Sequence, residues 1–400
     1  MVLIPRKSTY LFLFLLISFQ LNACAQKPVN NIGIKTGADK TELYVSALKG
    51  KRIAIVANQT SVITKKSGEK NTYIHLVDSL LALNIDVKKV FAPEHGFRGK
   101  ADAGEIVKDG SDTKTGLPII SLYGKNKKPS KDQLKGIDLV VFDIQDVGAR
   151  FYTYISSLHY VMEACAESNI PVILLDRPNP NGHYIDGPVL EEKHKSFVGM
   201  HPVPIVYGMT IGEYGNMING EKWLANGIQC DLTVIPLQNY THQSEYSLPI
   251  KPSPNLPNDK SINLYPSLCF FEGTNVNAGR GTALQFQIYG SPYLDQTNGF
   301  SYTPVSNEGA KYPKHKDKTC YGEDLGSTNR LHQLDLSWLI KAHAQNSKAP
   351  FFNAFFVKLA GTSTLQEQVT KGVSEKEIKE SWKTELTHFK KIRSKYLRYD

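Results

Sequence analysis

From Lys51 to about Leu237, short apolar runs alternate with amphipathic stretches. RIAIVAN (52–58) is a β-branched run that ends in polar turn residues, YIHLVDSLLALN (73–84) carries helical spacing, and DVKKVFAPE (86–94) is a second strand. LPIISLYG (117–124), IDLVVFDIQDVG (137–148), IPVILLDRPNPNG (170–182) and CDLTVIPL (230–237) read as further strands, with helices over YTYISSLHYVMEACAESN (152–169) and MTIGEYGNMING (209–220) between the later ones. Strands alternating with helices predict an α/β fold, a Rossmann-like and largely parallel sheet covered on both faces. A Pro/Ser/Asn-rich stretch then breaks the pattern at about 238–263, and beyond it the alternation fades. ALQFQIYGSPY (283–293) and FFNAFFVKLAG (351–361) read as strands, HQLDLSWLIKAHAQ (332–345) as a helix, and EKEIKESWKTELTHFKKIRSKYLRY (375–399) as one long closing helix. The expected organisation is a Rossmann-like domain over 46–240, a linker over 241–263 and a smaller auxiliary α+β domain over 264–400. The candidate active site then falls in the interdomain cleft.

The N-terminus adds an export signal. Arg6 and Lys7 precede an apolar run from Tyr10 to Phe19, too short to span a bilayer, and LNAC follows at 21–24. This ending resembles a bacterial lipobox, which makes 1–23 a signal peptide, Cys24 the lipidation site, and 24–45 a tether to a membrane surface. The expected location is the bacterial cell envelope, as a periplasm-facing lipoprotein. Loss of Arg6 and Lys7 with the signal takes the formal charge from +9 to +7. A basic balance suits an acidic partner, but no basic stripe with interleaved aromatics is present, so nucleic acid is not expected and a cell-wall glycan with carboxylates fits better. The remaining cysteines, Cys165, Cys230, Cys269 and Cys320, show no metal-ligand spacing and sit in apolar surroundings that suggest buried free thiols. With no GxGxxG, GxxxxGK[ST] or HExxH, no cofactor and no metal are expected.

Ligand sites of open α/β sheets lie beyond the carboxyl ends of the strands. FAPEHGFRG (91–99) places Glu94 and His95 there, with Arg98 nearby. FDIQDVGARFYTY (142–154) delivers Asp143, Asp146, Arg150, Tyr152 and Tyr154, and LDRPNPNG (175–182) delivers Asp176, Arg177 and Asn179. An Asp at a strand end is often only a cap or turn former. Glu94, between a Pro and a His, has poor credentials for that role. PSPNLPN (252–258) is a stiff, amide-bearing segment at the boundary, and FFEGTNVNAGRGTALQF (270–286) sets Glu272, Asn275 and Arg280 among glycines.

Those motifs, with GPVL (187–190), HPVPIVYGMTIGE (201–213) and the closing SWKTELTHFKKIRSKYLRY, resemble the NamZ-type exo-β-N-acetylmuramidases in order and over nearly the whole mature chain. The resemblance implies a glycoside hydrolase that releases N-acetylmuramic acid (MurNAc) from the non-reducing end of peptidoglycan-derived MurNAc-GlcNAc fragments, GlcNAc being N-acetylglucosamine. It also implies that Glu94, of the PEHG motif, is the key carboxylate. As general acid, Glu94 would protonate the leaving oxygen. Asp143 is the first candidate for the second catalytic group, with Asp146, Asp176, Glu272 and the substrate's own acetamido group also eligible. Arg98, Arg150 or Arg280 could pair with the lactyl carboxylate, with His95, Tyr152, Asn179 and Asn275 as further contacts. Two other classes stay open at this level: a metal-dependent envelope hydrolase, and a non-catalytic glycan-binding lipoprotein.

Overall fold

Six of the apolar runs lie side by side in the order that a doubly wound fold requires. The computed structural model describes residues 33–67, 70–98, 109–296 and 299–400. The signal segment and Cys24 lie outside the described residues. Residues 34–400 form one compact unit.

The strands are β1 (Ile53–Ala57), β2 (Val62–Ser67), β3 (Lys70–His75), β4 (Val87–Ala92), β5 (Gly110–Ser111), β6 (Pro118–Ser121), β7 (Leu139–Asp143), β8 (Val172–Leu175), β9 (Leu232–Ile235), β10 (Ile288–Ser291), β11 (Phe300–Tyr302) and β12 (Cys320–Asp324). The main sheet runs β5-β6-β4-β1-β7-β8-β9, parallel except for the short edge pair β5–β6. Without β5 this is the 3-2-1-4-5-6 order of a Rossmann sheet. Every residue of β1, β7 and β8 is buried, as expected for central strands covered on both faces. The helix Tyr154–Glu167 presents eleven buried side chains, and its neighbour Ile211–Gly220 begins in a capping box between Thr210 and Glu213.

The C-terminal portion contributes a separate antiparallel sheet, β10-β12-β11, together with short helices. A single apolar cluster runs from Ala54 in β1 to Phe389 near the C-terminus, so the two portions share a core. Among the described residues, no helix is long and apolar enough to cross a membrane. The four cysteines that the structure describes are free and buried, as their apolar surroundings suggested.

Several elements differ from the sequence expectation. Residues 73–75 belong to the β2–β3 hairpin, and the helix starts only at Leu76, where the His75 ring accepts from the backbone N–H of Val77. FFNAFFVKLAG forms the helix Phe356–Ala360 rather than a strand, because Asn353 turns the chain by accepting from Phe355 N–H and the helix packs on Cys269–Gly273. The long closing helix is two, Glu375–Ser381 and Lys383–Arg393, broken at Trp382. The second half of the expected tether packs into the fold: Lys35 bridges to Gln238, Gly37 N–H donates to Asp176 C=O, and Ala38 and Tyr44 are fully buried.

Candidate active site

Glu94 lies two residues beyond the end of β4, in a turn closed by Gly96 N–H donating to Pro93 C=O at 3.0 Å. His95 and Gly96 both have positive φ, 68° and 76°. A non-glycine residue in that region is uncommon and is tolerated where the surroundings fix it. His95 is buried while Glu94 is half-buried, so the turn presents the carboxyl group to a cleft. One carboxylate oxygen accepts from Tyr123 OH at 2.9 Å and the other from Thr153 Oγ1 at 3.0 Å.

Neither hydroxyl was singled out from the sequence, although a signal for each existed. β6 pairs with β4 so that Ser121 lies opposite Ala92. Tyr123 and Glu94, each two residues further on, therefore emerge side by side. LPIISLYG is thus a fourth strand end at the same edge. Thr153 sits inside FDIQDVGARFYTY, between the two tyrosines that drew attention.

The cleft has a volume of ≈ 280 Å³. Its walls are mainly aromatic, with Tyr123, Phe151, Tyr152, Phe197, Tyr265 and Phe286. Tyr265 is met edge-on by Phe151 (5.3 Å) and Phe286 (4.9 Å), which holds this wall in one arrangement. Ser253, Asn255 and Leu256 bring the Pro-rich segment over the cleft. That segment is fastened through its carbonyls and one amide: Tyr152 OH donates to Pro252 C=O at 2.8 Å, Gln59 Nε2 to the same oxygen at 3.1 Å, and Asn255 Nδ2 to Gly309 C=O at 2.7 Å. Cys269 also lines the cleft, but burial pushes its thiol well above its ordinary range.

Glu272 and Arg280 also line the cleft, joined by a 2.8 Å ion pair. Glu94, His95, Tyr152, Glu272 and Arg280 are therefore the sequence candidates that the fold brings together. The other candidates are placed elsewhere.

Asp143 is fully buried and bound by both Nε (2.6 Å) and Nη2 (2.8 Å) of Arg177, so it is not offered to this cleft. It ends β7 opposite Ala57, where a dinucleotide fold would leave its crevice. Here the Arg177 guanidinium and the Ser61 hydroxyl, bonded to the Asp143 carbonyl, occupy that position. Asp146 accepts from Tyr207 OH and Gly148 N–H, and burial raises its carboxyl to about 6. Asp176 accepts from Thr210 Oγ1, Tyr399 OH and Gly212 N–H, and burial likewise raises it to about 6. Asn179 holds backbone, donating to Met209 C=O and accepting from Asn181 N–H.

Arg150, fully buried, spends its guanidinium on the carbonyls of Pro188, Val203, Leu359 and Ala360 at 2.7–3.0 Å. Arg98 pairs with Asp112 at 2.7 Å and Asp78 at 3.4 Å. Asn275 bonds to Asn346 and to the carbonyls of Lys348 and Pro350. Among the described residues, no group of three or more His, Cys, Asp or Glu side chains is arranged to hold a metal ion.

Comparison with known proteins agrees with this architecture. The N-terminal domain pattern of exo-β-N-acetylmuramidase NamZ matches residues 53–260, and the C-terminal domain pattern matches 263–399. The chain is 38% identical to the peptidoglycan β-N-acetylmuramidase NamZ of Bacillus subtilis (strain 168), over 94% of this chain and 93% of that protein. Crystal structures of two DUF1343-family proteins from Bacteroides fragilis NCTC 9343 superimpose with TM-scores of 0.82 at 47% identity and 0.77 at 27% identity. Each covers 92% of this chain and 99% of its own. By sequence and fold, this chain belongs to the NamZ family of exo-β-N-acetylmuramidases.

Proposed function

We propose that this protein is an exo-acting glycoside hydrolase that releases MurNAc from the non-reducing end of peptidoglycan-derived MurNAc-GlcNAc fragments, with Glu94 as its general acid. The observation that carries the reading is the setting of Glu94: a carboxyl group at a strand end, half-buried in an aromatic cleft, with a hydroxyl on each oxygen. Family membership supports the substrate class.

In this reaction the bond between the anomeric carbon and the bridging oxygen breaks, and that oxygen takes the proton of Glu94 as it leaves with GlcNAc. Water supplies the hydroxyl of the released MurNAc, and its remaining proton restores the acid. Tyr123 and Thr153 fix the plane of the carboxyl group, and both hydroxyls can donate to the carboxylate once the proton has gone. The tyrosine and phenylalanine faces offer apolar surface to the sugar ring.

The N-terminal signal and Cys24 complete the proposal: the protein is exported and lipid-anchored on the periplasmic side of the envelope, where such fragments arise. The LNAC order directly after the apolar run supports it.

Incubation with MurNAc-GlcNAc disaccharide tests the activity, with free MurNAc as the expected product. Glu94→Gln, checked for an unchanged fold, is expected to abolish turnover of an aryl MurNAc glycoside. A variant that keeps most of its rate rules out the role given to Glu94. Metal-dependent hydrolysis is tested in the same assay, since activity that disappears in excess chelator contradicts a carboxyl-based mechanism.

A further inference from the structure

Arg280 is the one arginine or lysine lining the cleft among the described residues. A quarter of its side-chain surface is exposed. Its position is built rather than incidental. It lies between Gly279 and Gly281, with φ of 75° and 83°. A Cβ at 279 would come within 2.4 Å of the Leu284 carbonyl oxygen, and one at 281 within 2.6 Å of Pro313, so the loop has this shape only with glycine on both sides of the arginine.

Glu272 accepts from Nη1 at 2.8 Å and the Gly309 carbonyl from Nη2 at 3.3 Å. A guanidinium carries five N–H donors in a planar fork. These two contacts therefore brace Arg280 without exhausting it. Behind it, Lys314 donates to the carbonyls of Phe271 and Val276, both at 2.9 Å, and so fastens the backbone that carries Glu272. Burial draws the Lys314 ammonium down to about 8.

In the same aromatic cleft as Glu94, a braced guanidinium suits a substrate that carries its own carboxylate. Within the muramidase reading, on which this inference rests, that group is the lactyl carboxylate that distinguishes MurNAc from GlcNAc. The geometry points to Arg280, positioned by Glu272, as the specificity residue that reads this carboxylate. Arg98 and Arg150, the other arginines with a claim, are committed to Asp112 and to four backbone carbonyls.

The test is a cycle between enzyme and substrate. Aryl MurNAc, its lactyl methyl ester and aryl GlcNAc are compared on the parent protein, Arg280→Gln and Arg280→Lys, with thermal melting to confirm folding. Arg280→Gln is expected to lower kcat/KM on aryl MurNAc about 10- to 150-fold, the range for a hydrogen-bonded charge. The parent should lose a similar factor on the ester, and Arg280→Gln should lose no more than about threefold on the ester or on aryl GlcNAc. Arg280→Lys should recover part of the MurNAc preference. Glu272→Gln should weaken the preference for the acid over the ester.

Equal losses of Arg280→Gln on acid and ester overturn the assignment. If the parent cleaves none of the three substrates, the catalytic reading fails on its own. Calorimetry then decides this inference: a preference for free MurNAc over GlcNAc that disappears in Arg280→Gln upholds it, and a preserved preference or no binding by the parent overturns it.

Discussion

Arg150 illustrates how much a buried cation can hold without a counter-ion. Its guanidinium is fully buried and donates to four carbonyls, those of Pro188 (2.8 Å), Val203 (2.7 Å), Leu359 (3.0 Å) and Ala360 (2.7 Å). The first two belong to the Rossmann-like portion and the last two to the C-terminal portion, so one side chain ties the halves together. Arg150→Met keeps most of the apolar stem and removes every donor. Val203 C=O keeps the Leu190 N–H at 3.2 Å, so three carbonyls lose their partner. At about 1–3 kcal/mol for each, they predict a loss of at least about 3 kcal/mol. That is a large share of the roughly 5–15 kcal/mol by which folded domains are stable. Urea unfolding, followed by tryptophan fluorescence and by circular dichroism, measures it directly. Arg150→Lys, with three donors on one nitrogen, should fall between parent and Met. Because Leu359 lines the cleft, kcat/KM on aryl MurNAc should fall in Arg150→Met as well. The reasoning is falsified if Arg150→Met unfolds within about 1 kcal/mol of the parent with the same dependence on urea.

Two further outcomes follow from buried oxygen chemistry. Burial lifts Asp146 from 3.8 to about 6, so the folded state holds that proton more tightly than the unfolded chain does. Its contribution favours folding below about pH 4 and is lost as pH rises through about 6, a change of about 3 kcal/mol. Relative to Asp146→Asn, the parent should lose most of that stability between pH 4 and pH 7 in thermal or urea unfolding, and a flat difference would contradict the burial argument. Tyr123→Phe removes one donor to Glu94 while keeping the ring, and is expected to lower kcat about 10-fold or more with KM little changed. A KM effect alone would mean that Tyr123 binds sugar instead of positioning the acid.

The sheet was legible because its strands are short, apolar and bounded by turn residues, and Glu94 was legible because nothing in PEHG suits a mere cap. What pattern could not supply was which polar group meets which across long separations. Asp143, Asp146 and Asp176 each follow an apolar run, as Glu94 does. Yet Arg177 neutralises the first, Tyr207 and Gly148 enclose the second, and Thr210 and Tyr399 enclose the third. These partners lie 34, 61 and 223 residues away for Arg177, Tyr207 and Tyr399. Periodicity carries no such information. FFNAFFVKLAG failed as a strand for a related reason, since its apolar side chains answer to the Cys269–Gly273 turn beneath it rather than to their own spacing.

Tyr399 sends one hydroxyl to two places, donating to the Asp176 carboxylate at 2.7 Å and accepting from Leu237 N–H at 2.9 Å. Ribosomal synthesis must therefore proceed as far as this tyrosine before the acid beyond β8 and the amide beyond β9 acquire that shared ligand. A nascent chain stopped short of it would have to solvate both groups by other means, which leaves this flank of the sheet among the last regions to settle.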